Sequence, residues 1–113
     1  MKARKVSVIM PVYNGEKYLK EAIESILSQD FIDFEFIIIN DGSTDNSPQI
    51  LNEIKDSNKN VKVIHQENQG SSGARNTAID LAEGKYIQFL DADDLWKPTF
   101  LESIFQLIQN FHN

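Results

Sequence analysis

The apolar positions of this chain fall into two kinds of run that alternate along it. Val6-Ser7-Val8-Ile9-Met10 is β-branched and nearly all apolar, the pattern of a strand buried on both faces. Pro11 predicts its end, because proline has no N–H to give to a ladder. Val12-Tyr13-Asn14-Gly15 reads as a turn. From Glu16 the apolar residues recur at Leu19, Ala22, Ile23, Ile26 and Leu27, one face of a helix that ends near Gln29. Phe34-Glu35-Phe36-Ile37-Ile38-Ile39 predicts a second strand, halted by Asn40-Asp41-Gly42-Ser43. Ser43, Thr44 or Ser47 then caps a helix with Pro48 in its first turn and Ile50, Leu51 and Ile54 on its short apolar face.

Val61-Lys62-Val63-Ile64 predicts a third, shorter strand. The polar, Gly- and Ser-rich stretch from Gln66 to Gly73 predicts a loop. A helix follows from Ala74 to Glu83, with Ala74, Ala78, Leu81 and Ala82 inward and Gly84 as its stop. Lys85-Tyr86-Ile87-Gln88-Phe89-Leu90 predicts a buried fourth strand. Beyond Leu95-Trp96-Lys97-Pro98, a last helix carries Leu101, Ile104, Phe105, Ile108 and Phe111 on one face. About four strands thus alternate with about four helices, which implies the α/β class: a Rossmann-like parallel sheet with right-handed crossovers and helices on both faces. No repeat, linker or low-complexity tract divides residues 1–113, so one domain is expected.

Composition narrows the function. The 113 residues carry a formal charge of −6, the opposite of a general nucleic-acid binder. With no cysteine, disulfides, thiolate catalysis and Cys-based zinc sites are excluded. Lys2, Arg4 and Lys5 precede an apolar run too short for a signal or membrane segment. The expected location is cytoplasmic, with a membrane-peripheral association left to the full-length protein.

In an open parallel sheet, ligands bind outside the carboxyl ends of the strands. Four polar groups should meet there: Tyr13 and Asn14, Asn40 and Asp41, Gln66 to Gly73, and Asp91 to Asp94. Asp91, Asp93 and Asp94 follow an apolar strand directly. Two carboxylates about 5 Å apart repel by roughly 3 kcal/mol at an effective dielectric of about 20. A divalent cation reverses that sign, and Mg²⁺ or Mn²⁺ uses one or two carboxylates plus waters and phosphate oxygens. A solvated acidic turn is the alternative. Asp41 suits either an ordinary turn or acceptance of a base imide N–H. Gly70-Ser71-Ser72-Gly73-Ala74-Arg75-Asn76 opens a helix whose amides favour an anion, with the Arg75 fork beside it; a flexible loop with a surface arginine fits equally. Tyr13 is placed to stack on a base or to pack on the first helix. His65 and His112 lack ligand spacing and read as structural or exposed.

These four stretches in order resemble the family 2 glycosyltransferases, which have the GT-A fold. Val6 to Asn14 resembles the family's opening strand, and Asn40-Asp41-Gly42-Ser43-Thr44-Asp45 its second-strand motif. Asn68-Gln69-Gly70 with Gly73-Ala74-Arg75-Asn76 resembles the third. Phe89-Leu90-Asp91-Ala92-Asp93-Asp94 is similar to the D-x-D region. The resemblance implies that Pro11 and Tyr13 line a nucleotide pocket and that Asp41 bonds a uracil-type imide. It implies that Asn68 and Arg75 hold the nucleotide from the other side, and that Asp91 meets the ribose or metal-bound waters. Asp93 would ligate Mn²⁺ or Mg²⁺, with Asp91 alongside. The implied activity is inverting transfer of a hexosyl group from a UDP-type nucleotide-sugar to a saccharide or lipid-linked acceptor, as in polysaccharide biosynthesis.

Members of this family are considerably longer, so the acceptor site and general base are expected beyond Asn113. The edge of the fourth strand and the apolar face of the last helix then offer surfaces for self-association. Two other classes compete. One is a non-catalytic nucleotide-binding or assembly module. The other is a nucleotidyltransferase of related fold, whose Gly-rich, Arg-containing loop should follow the first strand, where this chain has Pro11-Val12-Tyr13-Asn14-Gly15.

Overall fold

The structure, a computed structural model, describes residues 6–30, 33–90, 99–103 and 106–107. Its elements are β1 (Val6–Val12), α1 (Leu19–Leu27), β2 (Phe34–Asp41), α2 (Ser47–Ser57), β3 (Val61–Gln66), α3 (Gly70–Leu81) and β4 (Tyr86–Phe89). Residues 100–103 and 106–107 are also helical. The strands form one parallel sheet in the order β3-β2-β1-β4.

Side chains alternate across a strand, so β1 and β2 feed two cores. Val8, Met10, Phe36 and Ile38 pack with Leu19, Ile23, Ile26, Leu51 and Leu101 on one face. Ile9, Ile37 and Ile39 meet Ala74 and Ala78 of α3 on the other. Small residues at those two helix positions let α3 lie close to the sheet, where it carries Arg75 to the rim.

Several expectations shift. Pro11 does not end β1; it pairs with Ile39 in the ladder to β2. The Ile9 carbonyl accepts from the Leu90 amide at 2.9 Å, so that side of β1 faces β4. Pro11 lies two residues further on, past the last β1–β4 pair among the described residues, Ile9 and Phe89, so its missing donor breaks none of the pairs described there. Helix α1 begins at Leu19, because residues Gly15 to Tyr18 form a turn closed by the Tyr18 and Leu19 amides on the Gly15 carbonyl. β3 continues to Gln66, and α3 starts at Gly70. The expected loop is therefore short, and its Gly-Ser run is the helix's first turn. β4 is an edge strand among the described residues, and its faces are not buried as its apolar run suggested, with Ile87 and Phe89 exposed by 42% and 39%. Of the last helix, Leu101 is buried and its amide donates to Gln29 Oε1 at 3.0 Å. Ile104, Phe105, Ile108 and Phe111 lie outside the described residues.

Where the strands begin, one carboxylate ties three of them to the α3–β4 turn. Glu35 Oε2 accepts from Ser7 Oγ and from the Glu83 amide, each at 2.6 Å. Its Oε1 meets Lys62 Nζ at 3.1 Å. The Gly84 amide donates to Ser7 Oγ at 2.8 Å. Gly84 is not the end of α3, which stops at Leu81; a Cβ there would lie 2.5 Å from the Ser7 amide nitrogen and its hydroxyl. Gly84→Ala is therefore expected to lower stability by about 1–3 kcal/mol, the usual range for overpacking. A urea midpoint unchanged from the parent chain would contradict this contact.

Candidate functional site

β1 leads to β2 on one side and has β4 on the other, so the sheet order reverses at β1. Such a switch point opens a crevice at the strands' carboxyl ends. A cleft of about 150 Å³ lies there, lined by Pro11, Val12, Tyr13, Asp41, Ser71 and Arg75. A larger hollow of about 410 Å³ is lined by Leu27, Gln29, Phe34, Phe36 and residues 58–60. It lies at the opposite edge, where β2 begins, and none of the candidate site residues line it.

Asp41, the last residue of β2, is 3% exposed. A buried carboxylate needs hydrogen-bond donors to offset lost hydration. Oδ1 receives two, the Gln69 amide at 2.8 Å and Gln66 Nε2 at 3.0 Å. The Asp41 carbonyl accepts from Asn68 Nδ2 at 3.1 Å. Gly42 follows at φ +76°, and a Cβ on it would lie 2.7 Å from the Asn68 backbone nitrogen. The Asn-Asp-Gly turn thus packs directly on the β3–α3 connection. Asn68 itself is not among the cleft-lining residues; its amide serves the rim.

Arg75 comes from the second turn of α3, its guanidinium 5.5 Å from the centre of the Phe89 ring, within cation–π range. The edge strand β4 thereby supports a cleft residue carried by α3.

Tyr13 is 56% exposed and lines the cleft. The turn that presents it is clasped to the β2–α2 connection. Asn14, at φ 51°, accepts on Oδ1 from the Thr44 amide at 2.7 Å and the Asp45 amide at 3.3 Å. Its own amide donates to Ser43 Oγ at 2.9 Å, and the Gly15 amide donates to Ser47 Oγ at 3.0 Å. Ser47 therefore holds the neighbouring loop rather than capping α2, whose N-cap Asn46 makes no side-chain cap bond. Asp45 accepts from the Ser47 amide at 2.8 Å and the Glu16 amide at 3.2 Å. Partial burial pushes its carboxyl up, but the bonds from Ser47 and Glu16 outweigh this and hold it below the usual aspartate range.

His65 lies between Asn40 Nδ2 and Asn52 Oδ1, each at 2.9 Å, the structural role its spacing implied. Asp91 and Asp93 lie outside the described residues. Among the described residues, no group of three or more His, Cys, Asp or Glu side chains could hold a metal ion. No helix among them is long and apolar enough to cross a membrane. Sequence reasoning did not single out Val12 or Ser71, nor Gln66 and Gln69 as the donors to Asp41. A parallel register that pairs Gln66 with Asp41 was the available signal, and it required β3 to run two residues longer.

A sequence model described as Glycosyl transferase family 2 matches residues 7–113. The chain belongs to this family. The glycosyltransferase GlyG of Streptococcus pneumoniae serotype 4 is 42% identical over 105 residues, covering 92% of this chain and 35% of GlyG. The structure of S. aureus TarS 1–349 in complex with UDP-GlcNAc superposes with a TM-score of 0.87 at 37% identity, over 96% of this chain and 32% of that one. The mannosyltransferase PcManGT of Pyrobaculum calidifontis, in complex with GDP-Man and Mn2+, gives 0.77 at 28% identity, over 85% of this chain and 29% of that one. The α/β, Rossmann-like expectation agrees with these neighbours. The chain spans about a third of the length of these relatives.

Proposed function

We propose that this chain is the donor-binding part of an inverting, metal-dependent glycosyltransferase that takes a UDP-type nucleotide-sugar. The observation that carries the reading is the shared cleft. Pro11, Tyr13, Asp41 and Arg75 arrive from β1, the turn after it, β2 and α3, and they line one crevice at the sheet's switch point. A buried carboxylate acceptor beside a guanidinium donor suits the edge of a base that has an imide N–H next to a carbonyl. Uracil has such an edge, and so does guanine; cytosine and adenine do not. Of the two neighbours, TarS has the higher identity and is known in complex with UDP-GlcNAc, which favours uracil.

In this reading Asp41 accepts the imide N–H, Arg75 donates to the adjoining carbonyl, and Tyr13 flanks the base. Asn68 holds the rim on the far side of Asp41. Asp91 and Asp93 follow β4 in the sequence, and closely spaced carboxylates are the oxygen donor set that Mn²⁺ or Mg²⁺ takes. A cation held there would neutralise charge developing on the departing nucleoside diphosphate. The general base and the acceptor site, for a saccharide or lipid-linked hydroxyl, are assigned to sequence beyond residue 113.

Calorimetry of UDP with and without Mn²⁺ tests this. The parent chain is expected to bind UDP more tightly with the metal, and Asp93→Asn to lose that enhancement. Equal, metal-independent binding by both proteins would remove the metal assignment; no UDP binding at all would remove the donor reading.

A further inference from the structure

We propose that Gln66 and Thr77 are positioning residues that aim the Asp41 carboxylate and so set base discrimination; this rests on the nucleotide reading above. Gln66 stands directly opposite Asp41 in the β2–β3 register. Its Nε2 donates to Asp41 Oδ1 at 3.0 Å. At the other end of the same amide, Oε1 accepts from Thr77 Oγ1 at 2.9 Å.

The direction of this chain of bonds is dictated by charge. An ionised carboxylate only accepts, so the amide must turn its NH₂ toward Asp41. That leaves the amide oxygen facing Thr77, whose hydroxyl must supply the hydrogen. The same hydroxyl has a second acceptor within reach, the Gly73 carbonyl at 3.1 Å. Asp41 therefore fixes which of its two amide orientations Gln66 takes, and Thr77 Oγ1, which also reaches the Gly73 carbonyl, anchors the amide oxygen at the far end. The reverse orientation would set the amide oxygen against the carboxylate.

For the carboxylate the consequence is geometric. Among the described residues, the two donors to its side chain, Gln66 Nε2 and the Gln69 backbone amide, both fall on Oδ1. Oδ2 is the oxygen left to a ligand, and it faces as an acceptor. An imide N–H satisfies it. A cytosine ring nitrogen, itself an acceptor, does not. Thr77 and Arg75 lie on the same helix, so α3 supplies one group that contacts the base and another that orients its partner.

Calorimetry of UDP and CDP, each with Mn²⁺, decides the matter on the parent chain and on Thr77→Val, Thr77→Ser and Gln66→Met. The parent should prefer UDP. Thr77→Val and Gln66→Met should bind UDP about fivefold to tenfold more weakly, the effect of losing one ordinary hydrogen bond, with CDP affinity unchanged. Thr77→Ser should restore the parent ratio. An unchanged UDP-to-CDP ratio in both variants would overturn the proposal while leaving the nucleotide reading intact. So would an equal loss for both nucleotides with a lower melting temperature, the mark of a purely structural role. A parent chain that binds neither nucleotide would overturn both readings.

Discussion

Glu35→Ala is expected to destabilise the chain by about 2–5 kcal/mol, the cost of leaving two donors without an acceptor at about 1–3 kcal/mol each. Glu35 is 5% exposed and accepts from Ser7 Oγ and the Glu83 amide. Truncation leaves those donors facing a cavity and frees Lys62. Glu35→Gln keeps an acceptor for Ser7 and Glu83 and loses chiefly the ion pair. Lys62 is 46% exposed, so that loss should stay below about 1 kcal/mol. The same cluster makes stability depend on pH. Burial pushes the Glu35 carboxyl up, but the bonds from Ser7, the Glu83 amide and Lys62 together outweigh it and hold the group below its usual range. A carboxyl depressed in the folded state stabilises fully above its unfolded value, about 4.3 for glutamate. That stabilisation fades as pH falls through the lower folded value. Urea melts at pH 7 and pH 3 should show a steeper acid loss in the parent than in Glu35→Gln. Parallel acid losses in the two proteins would count against the cluster as their source.

Asp41→Asn should weaken UDP binding by about 10–100-fold, the range for a hydrogen bond to a charged group. The substitution removes one charge with almost no change in shape. Either amide orientation loses something. If its NH₂ occupies the Oδ1 position, it opposes the Gln69 amide and Gln66 Nε2, which now lack an acceptor. If the NH₂ occupies the Oδ2 position, it confronts the ligand's N–H. GDP should suffer a similar loss, whereas CDP should not weaken. Arg75→Lys provides a second measure, because an ammonium cannot present a planar fork to the base carbonyl. UDP affinity in Asp41→Asn within twofold of the parent would show that the base does not use this carboxylate.

The strands β1 and β2 were legible because both of their faces are buried, which writes a nearly continuous apolar run into the chain. Helices α1 and α2 were legible from apolar residues at helical spacing. The errors cluster where a residue's reason lies elsewhere in the molecule. Gly73 looked like loop, but it sits inside α3, where a Cβ would lie 2.6 Å from the Gln69 Cβ. Gly84 looked like a helix stop, but it makes room for β1. Ser47 looked like a cap, but its hydroxyl takes an amide from the turn after β1. Phe89 looked like core, but α3 covers β1 and β2 on that face, and the ring half-faces solvent beneath Arg75.

Local chemistry was enough to set the alternation of elements, the parallel sheet and the edge where the candidate cleft opens, because period, branching and turn residues act over a few neighbours. The sequence motifs also brought Pro11, Tyr13, Asp41 and Arg75 under suspicion together. Which oxygen of Asp41 stays available, what steadies Arg75, and how Asn14 and Asp45 lock two loops into one rim came from the assembled fold. Those are contacts between different elements, distant in the sequence, and their geometry follows from strand order and register, quantities that no short window of residues contains.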